Sequence, residues 1–213
     1  MIEKHISFNF EGRYFSIGGN AKENILTEIW FVLHGQGQLA NYFLEKFRPL
    51  AQDNRKIIAP EGLSRYYLQG FSGRVGASWM TRENRLKDIN NYLNFLTSVY
   101  NKEVPKDIDI KITLLGFSQG AATASRWALT DSINIQHLIL WAGIFPPDLD
   151  LPKGQEKFKN LKISNVYGDR DEYLNNDRLA EQAQVANKLG VSYSKIVFQG
   201  GHQIDEDALL RLI

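Results

Sequence analysis

The chain contains no cysteine. Disulfides, thiolate metal sites and a cysteine nucleophile are excluded together. A chain without thiols also fits a reducing compartment. Neither sign of charge is in excess: 25 basic residues face 24 acidic ones, a formal net charge of +1. No acidic or basic block stands out, so neither nucleic acid nor an anionic membrane surface has electrostatic support as a partner. No apolar run approaches the length of a membrane-spanning helix. The opening MIEKHISFNFEGRYFSIGG lacks the basic start and apolar core of a signal peptide. These absences make the cytoplasm the expected compartment and argue against integral membrane association. Proline is scarce and scattered, and no repeat or low-complexity linker marks a boundary. Residues 1–213 therefore read as one domain.

What is present is an ordinary globular composition, 43% hydrophobic and 23% charged. The Ile6-Phe8-Phe10 and Tyr14-Ser16 alternation around Glu11-Gly12 predicts an N-terminal β-hairpin. Ile25 to Leu33 reads as a buried strand, Leu39 to Phe47 as a helix, and Lys56 to Ala59 as a strand ended by Pro60. Glu61 to Met80 reads as loop. Leu86, Ile89, Leu93, Leu96 and Tyr100 share one helix face. Ile110 to Leu115, Ile135 to Ala142, Ile163 to Tyr167 and Tyr193 to Phe198 read as strands. Helices are expected from the Gly-Phe-Ser-Gln-Gly turn through Leu129, over Asp177 to Leu189, and over Asp205 to Leu212. Phe145-Pro146-Pro147 commits the chain to a loop. The fold class is therefore α/β, with a mostly parallel central sheet and helices on both faces.

In such a sheet, functional groups gather at the carboxyl ends of the strands. Those ends carry His34-Gly35-Gln36-Gly37, Gly116-Phe117-Ser118-Gln119-Gly120, Gly168-Asp169-Arg170-Asp171 and Gly200-Gly201-His202. A serine, two acids and a histidine fall on one rim, in the order Ser, Asp, His. Serine is a poor nucleophile without a base in hydrogen-bond reach. Histidine can take the proton and return it to the leaving group. An acid on the far ring nitrogen fixes the tautomer. The oxyanion needs preorganised donors. G-x-S-x-G alone is a weak signal, but here a strand precedes it and a helix follows, as a nucleophile elbow requires.

Other residues read more plainly. Either Asp169 or Asp171 has the chemistry to serve as the acid. One histidine without partners at ligand spacing makes no zinc site, so His34 reads as a support for its loop, and no metal is expected. His5 reads as a surface residue, and His137 as the start of a strand. Tyr66, Tyr67 and Phe71 divide evenly between core and substrate contacts. Arg74, Arg82 and Arg85 read as a solvated face.

Six stretches carry a resemblance: VLHGQGQ, IIAPEG, GASWM, LLGFSQGAA, NVYGDRDEYL and GGHQI. From about Ile29 onward the sequence resembles the α/β-hydrolases, within them the phospholipase/carboxylesterase group that includes acyl-protein thioesterases. The resemblance implies Ser118 as nucleophile, Asp171 as acid and His202 as base. It implies an oxyanion hole from the backbone N–H groups of Gln36 and Gln119, and no cofactor. It places Trp79 at the pocket rim, and Gly35 and Gly37 count with it as expected substrate contacts. Gln36 replaces the apolar residue common after His-Gly. Trp79-Met80-Thr81 lacks the Phe-Asp that often follows the Trp, and Leu174-Asn175 stands where Val-Pro is frequent. These departures bear on substrate class. The expected activity is hydrolysis of short- to medium-chain acyl esters, in a groove walled by Glu61 to Met80 and Phe145 to Phe158. The alternatives are a lysophospholipase or acyl-protein thioesterase, a carbohydrate-ester hydrolase, and a catalytically silent binding module. The expected partner is a small acyl ester or thioester, and an apolar loop rim makes a homodimer unsurprising.

Overall fold

The computed structural model describes residues 1–19 and 26–213. Residues 1–13 carry no regular structure, and β1 spans Tyr14–Gly18. β2 (Glu28–Leu33) leads into α1 (Ala40–Leu44), a 3-10 turn (Glu45–Leu50) and β3 (Arg55–Pro60). β4 (Ser64–Gln69) and β5 (Ser72–Ser78) come next, then the long α2 (Arg85–Glu103). β6 (Lys111–Phe117), α3 (Gln119–Ala128), β7 (His137–Trp141) and α4 (Leu151–Phe158) alternate after it. β8 (Lys162–Gly168), α5 (Asn176–Leu189), β9 (Ser194–Phe198) and α6 (Glu206–Leu210) complete the chain.

Among the described residues, seven strands form one sheet in the order β1-β3-β2-β6-β7-β8-β9. β1 runs antiparallel to β3, and every other neighbour is parallel. The pleat sends alternate residues of β2 to opposite faces. Ile29, Phe31 and Leu33 join a core with Leu96 of α2, Ala121 and Trp127 of α3, and Leu189 of α5. Trp30 and Val32 join the other core, with Phe43 of α1, Phe47 of the 3-10 turn and Leu209 of α6. Burial on both faces explains why β2 is a continuous apolar run rather than an alternating one.

The topology also locates the site. β3 lies on one side of β2, and the chain then crosses to place β6 on the other. The carboxyl ends of β2 and β6 therefore flank the switch point, where open parallel sheets form a crevice. The loop from His34 and the turn at Ser118 leave from those two ends.

Several local expectations change. Tyr14–Gly18 is antiparallel, but its partner is β3 (Tyr14 opposite Pro60), so the N-terminal hairpin does not form. Ile6, Phe8 and Phe10 are exposed instead. Alternation identifies a strand, not its partner. Ile25, the expected start of β2, lies outside the described residues. Glu61 to Met80 holds the β4–β5 hairpin, whose serines and glycines hide strand periodicity. α4 replaces the second half of the expected Phe145 to Phe158 loop, capped by Asp150, which accepts the Lys153 N–H at 3.1 Å. On α2 the fully buried residues are Tyr92, Leu96 and Val99, while Leu86 is exposed. Among the described residues, no helix is long and apolar enough to cross a membrane.

Candidate active site

β6 ends and α3 begins around a single residue, Ser118. Its backbone sits at φ 54°, ψ −117°, a conformation that non-glycine residues rarely adopt. The Ser118 N–H is tied to the Trp141 carbonyl at 2.9 Å, and its carbonyl accepts the Ala121 N–H at 2.9 Å. The flanking glycines make this turn sterically feasible. A Cβ on Gly116 would stand 2.1 Å from the Gly120 carbonyl oxygen, and one on Gly120 would stand 2.2 Å from that of Leu33. The strained turn holds the serine side chain out at the head of a cavity.

His202 follows β9 in the loop before α6. Its Nδ1 lies 2.8 Å from Asp171 Oδ2 and 3.0 Å from Oδ1. The Asp171 side chain is fully enclosed and also accepts the N–H groups of Tyr173 (2.9 Å) and Leu174 (3.2 Å). Asp169 behaves differently: it accepts the Gly200 N–H at 2.9 Å and shapes the loop that carries His202. The geometry thus separates two carboxylates that chemistry alone left equivalent. The imidazole packs on Phe117, next to Ser118 in the chain, at 4.9 Å and on Tyr173 at 4.7 Å. No hydrogen bond joins Ser118 to His202 among the described residues. Such bonds often tighten only with substrate bound.

The loop after β2 is held from below. The Gly62 N–H donates to His34 Nε2 at 2.9 Å, so the proton sits on Nδ1, which donates to the Gly35 carbonyl at 2.7 Å. Both ring nitrogens are thereby occupied. Burial pushes the His34 pKa down, outweighing the opposing pull of the Gly35 carbonyl and Glu61. Trp79 stacks on this ring at 5.0 Å and donates Nε1–H to the His34 carbonyl at 2.8 Å. Trp79 is 1% exposed and does not line the cavity, so it supports the loop instead of forming the rim. Gly35 packs on Phe117, and Gly37, at φ 78°, turns toward the β4–β5 hairpin. Neither glycine lines the cavity. Among the described residues, the backbone N–H groups of Gln36 and Gln119 meet no protein acceptor.

The sequence marked Gln119 only for its backbone. Its side chain has a second role. Oε1 accepts the Trp79 N–H at 3.0 Å, and Nε2 donates to the Met80 carbonyl at 2.8 Å. The residue after the serine thereby ties the elbow to the end of β5. The β4–β5 hairpin otherwise stays away from the cavity. Tyr66, Tyr67 and Phe71 are exposed on it, Phe71 by 98%, so they are neither core nor cavity wall.

A cavity of about 610 Å³ opens beside Ser118. Met80, Ala122, Ala142, Phe145, Pro146 and Leu174 give it apolar surface. Arg85, Arg126, Arg178 and Asp148 give it charge. Arg126 is 9% exposed at its side chain and donates to Asp148 from Nη2 at 2.7 Å. Burial opposes ionisation of Asp148, but the Arg126 hydrogen bond and the Arg126 and Arg85 charges outweigh it and hold the carboxyl below its ordinary range. Arg85 is therefore part of the cavity wall and not of a solvated face. No sequence signal joined these residues, because they come from α2, α3 and the loop before α4.

The phospholipase/carboxylesterase family model matches residues 20–213. Solved structures with the same fold include acyl-protein thioesterase 2 of Zea mays, at 17% identity and a TM-score of 0.72, covering 95% of this chain and 96% of that one. A carboxylesterase from Mesorhizobium loti follows, at 18% identity and 0.68, covering 94% and 92%. A phospholipase/carboxylesterase from Dyadobacter fermentans aligns at 19% identity and 0.62, covering 97% and 96%. Among curated proteins, no significant match was found.

Proposed function

Given that this chain belongs to the phospholipase/carboxylesterase family, we propose that it is a single-domain cytoplasmic serine carboxylesterase acting on short- to medium-chain acyl esters. One observation carries this reading: the enclosed Asp171–His202 pair, at 2.8 Å, stands beside the strained elbow that presents Ser118 to a cavity.

In the first half-reaction, Ser118 Oγ attacks the ester carbonyl carbon and His202 Nε2 takes its proton. Asp171 holds the Nδ1 proton and stabilises the imidazolium. The N–H groups of Gln36 and Gln119, which meet no acceptor among the described residues, are available to the oxyanion. Collapse breaks the carbon–oxygen bond, and His202 returns the proton to the departing alcohol. Water then attacks the acyl-enzyme by the same route and releases the acid. A thioester would react identically with a thiol leaving. The arginines on the cavity wall weigh against a long apolar acyl channel, as a lysophospholipase would need. The exposed hairpin aromatics weigh against sugar stacking at the site.

The test is hydrolysis of p-nitrophenyl esters from acetate to palmitate by the intact protein and by Ser118→Ala. Turnover is expected to peak at short or medium chains and to fall by several orders of magnitude in the variant. A palmitate optimum would shift the reading to a lysophospholipase or thioesterase. No turnover of any ester would leave a binding module.

A further inference from the structure

The cavity beside Ser118 has both apolar and charged walls. Gly143 packs against the Ser118 carbonyl, and Ala122, Ala142, Arg85, Arg126 and Asp148 line the same cavity. Gln119, Ala122 and Arg126 all line it, at the spacing of one helix face. From Ser118 to Arg126 the helix rises about 12 Å. Helical side chains lean toward the N-terminus, so Arg126 extends back toward the elbow. A group held there would lie several bonds from the scissile carbonyl.

Two guanidinium groups share one carboxylate. Asp148 Oδ1 accepts from Arg126 at 2.7 Å, and Oδ2 lies 2.5 Å from Arg85 Nη2. Arg126 Nη1 faces the Tyr92 hydroxyl at 3.4 Å. Among the described residues, Arg85 meets no other acidic group. A structural ion pair needs one arginine for one aspartate, and here the second arginine leaves the wall with an excess positive charge. Arg178 adds a third guanidinium, and its partner Glu181, at 2.5 Å, does not line the cavity. The planar fork of arginine matches the paired oxygens of a carboxylate or phosphate.

We propose that this wall binds an anionic oxygen group of the substrate. The preferred esters then carry a carboxylate or phosphate several bonds from the reacting carbonyl. The inference rests on the serine-esterase reading above and narrows its substrate class.

Two matched pairs of esters test it. The p-nitrophenyl monoester of glutaric acid is set against p-nitrophenyl pentanoate, and glycerol-phosphate butyrate against glycerol monobutyrate. Each is assayed with the intact protein, Arg85→Gln and Ser118→Ala, at low and high salt. The anionic member of at least one pair should be favoured in kcat/KM by about tenfold or more. The first pair showing the preference would put the anion on the acyl side; the second would put it on the alcohol side. Salt should weaken the preference, and Arg85→Gln should shrink it by about tenfold. Equal turnover within both pairs would overturn the proposal, as would a preference untouched by Arg85→Gln. If that variant does not fold, a salt-insensitive preference in the intact protein overturns it as well. Neutral esters cleaved in a Ser118-dependent way without anion preference would sink this inference alone. No Ser118-dependent turnover of any ester would sink both.

Discussion

At the scale of single residues, the two acids after β8 make the clearest contrast. Asp171 meets His202 with both oxygens, whereas Asp169 accepts the Gly200 N–H and lies 3.6 Å from the Arg170 guanidinium, without touching His202. Asp171→Asn should lower kcat by about 10³ to 10⁴-fold, since an amide favours the wrong imidazole tautomer. Asp169→Asn keeps an acceptor for Gly200 and should cost far less. Steady-state kinetics on one short ester ranks the two, and the reverse order would reassign the acid. Gln119 offers a second case. Gln119→Ala keeps the backbone donor but loses the bonds to Trp79 and Met80. It should destabilise the protein by about 1 to 3 kcal/mol in urea unfolding, and lower kcat more than it raises KM.

At the scale of elements, the elbow depends on three backbones meeting. Gly120 touches the end of β2, and Gly116 touches Gly120. Gly116→Ala or Gly120→Ala forces backbone apart where no side chain can yield. Each should cost about 1 to 3 kcal/mol or more, measured by urea denaturation, with activity falling further because the shift moves the Ser118 and Gln36 loops together. These glycines were legible as spacers in G-x-S-x-G. What they space was not, because β2 and β6 lie some eighty residues apart in sequence and meet only through sheet order. The β4–β5 hairpin was missed for a related reason. Its residues are largely exposed on both sides, so no buried face imposed alternation.

At the scale of the whole molecule, two buried histidines couple folding to pH. His137 sits against Ser164 at 2.8 Å, and burial, aided by the Lys162 and Lys111 charges, pushes its pKa down to about 4. His34 is depressed by burial too. Both folded values lie below the ordinary histidine value, so the unfolded chain binds more protons as pH falls. The His137 contribution is complete above about pH 6.5 and is lost progressively as pH falls toward about 4, and that of His34 is lost in the same direction. Tm should therefore fall across that window, and less steeply in His137→Gln. A Tm that stays flat from pH 6.5 to 5 would contradict the assignment.

The sequence by itself determined most of the strands and helices after residue 26, though not the β4–β5 hairpin or α4, and that a serine, two acids and a histidine (Ser118, Asp169, Asp171 and His202) follow strand ends in that order. Hydrophobic periodicity and turn chemistry are local, so a short window carries them. The tertiary structure alone decided that β1 pairs with β3, that Trp79 lies under the loop and not at its rim, and that Arg85, Arg126 and Asp148 meet in the cavity. Those facts depend on contacts between distant segments, and no window of sequence contains both partners.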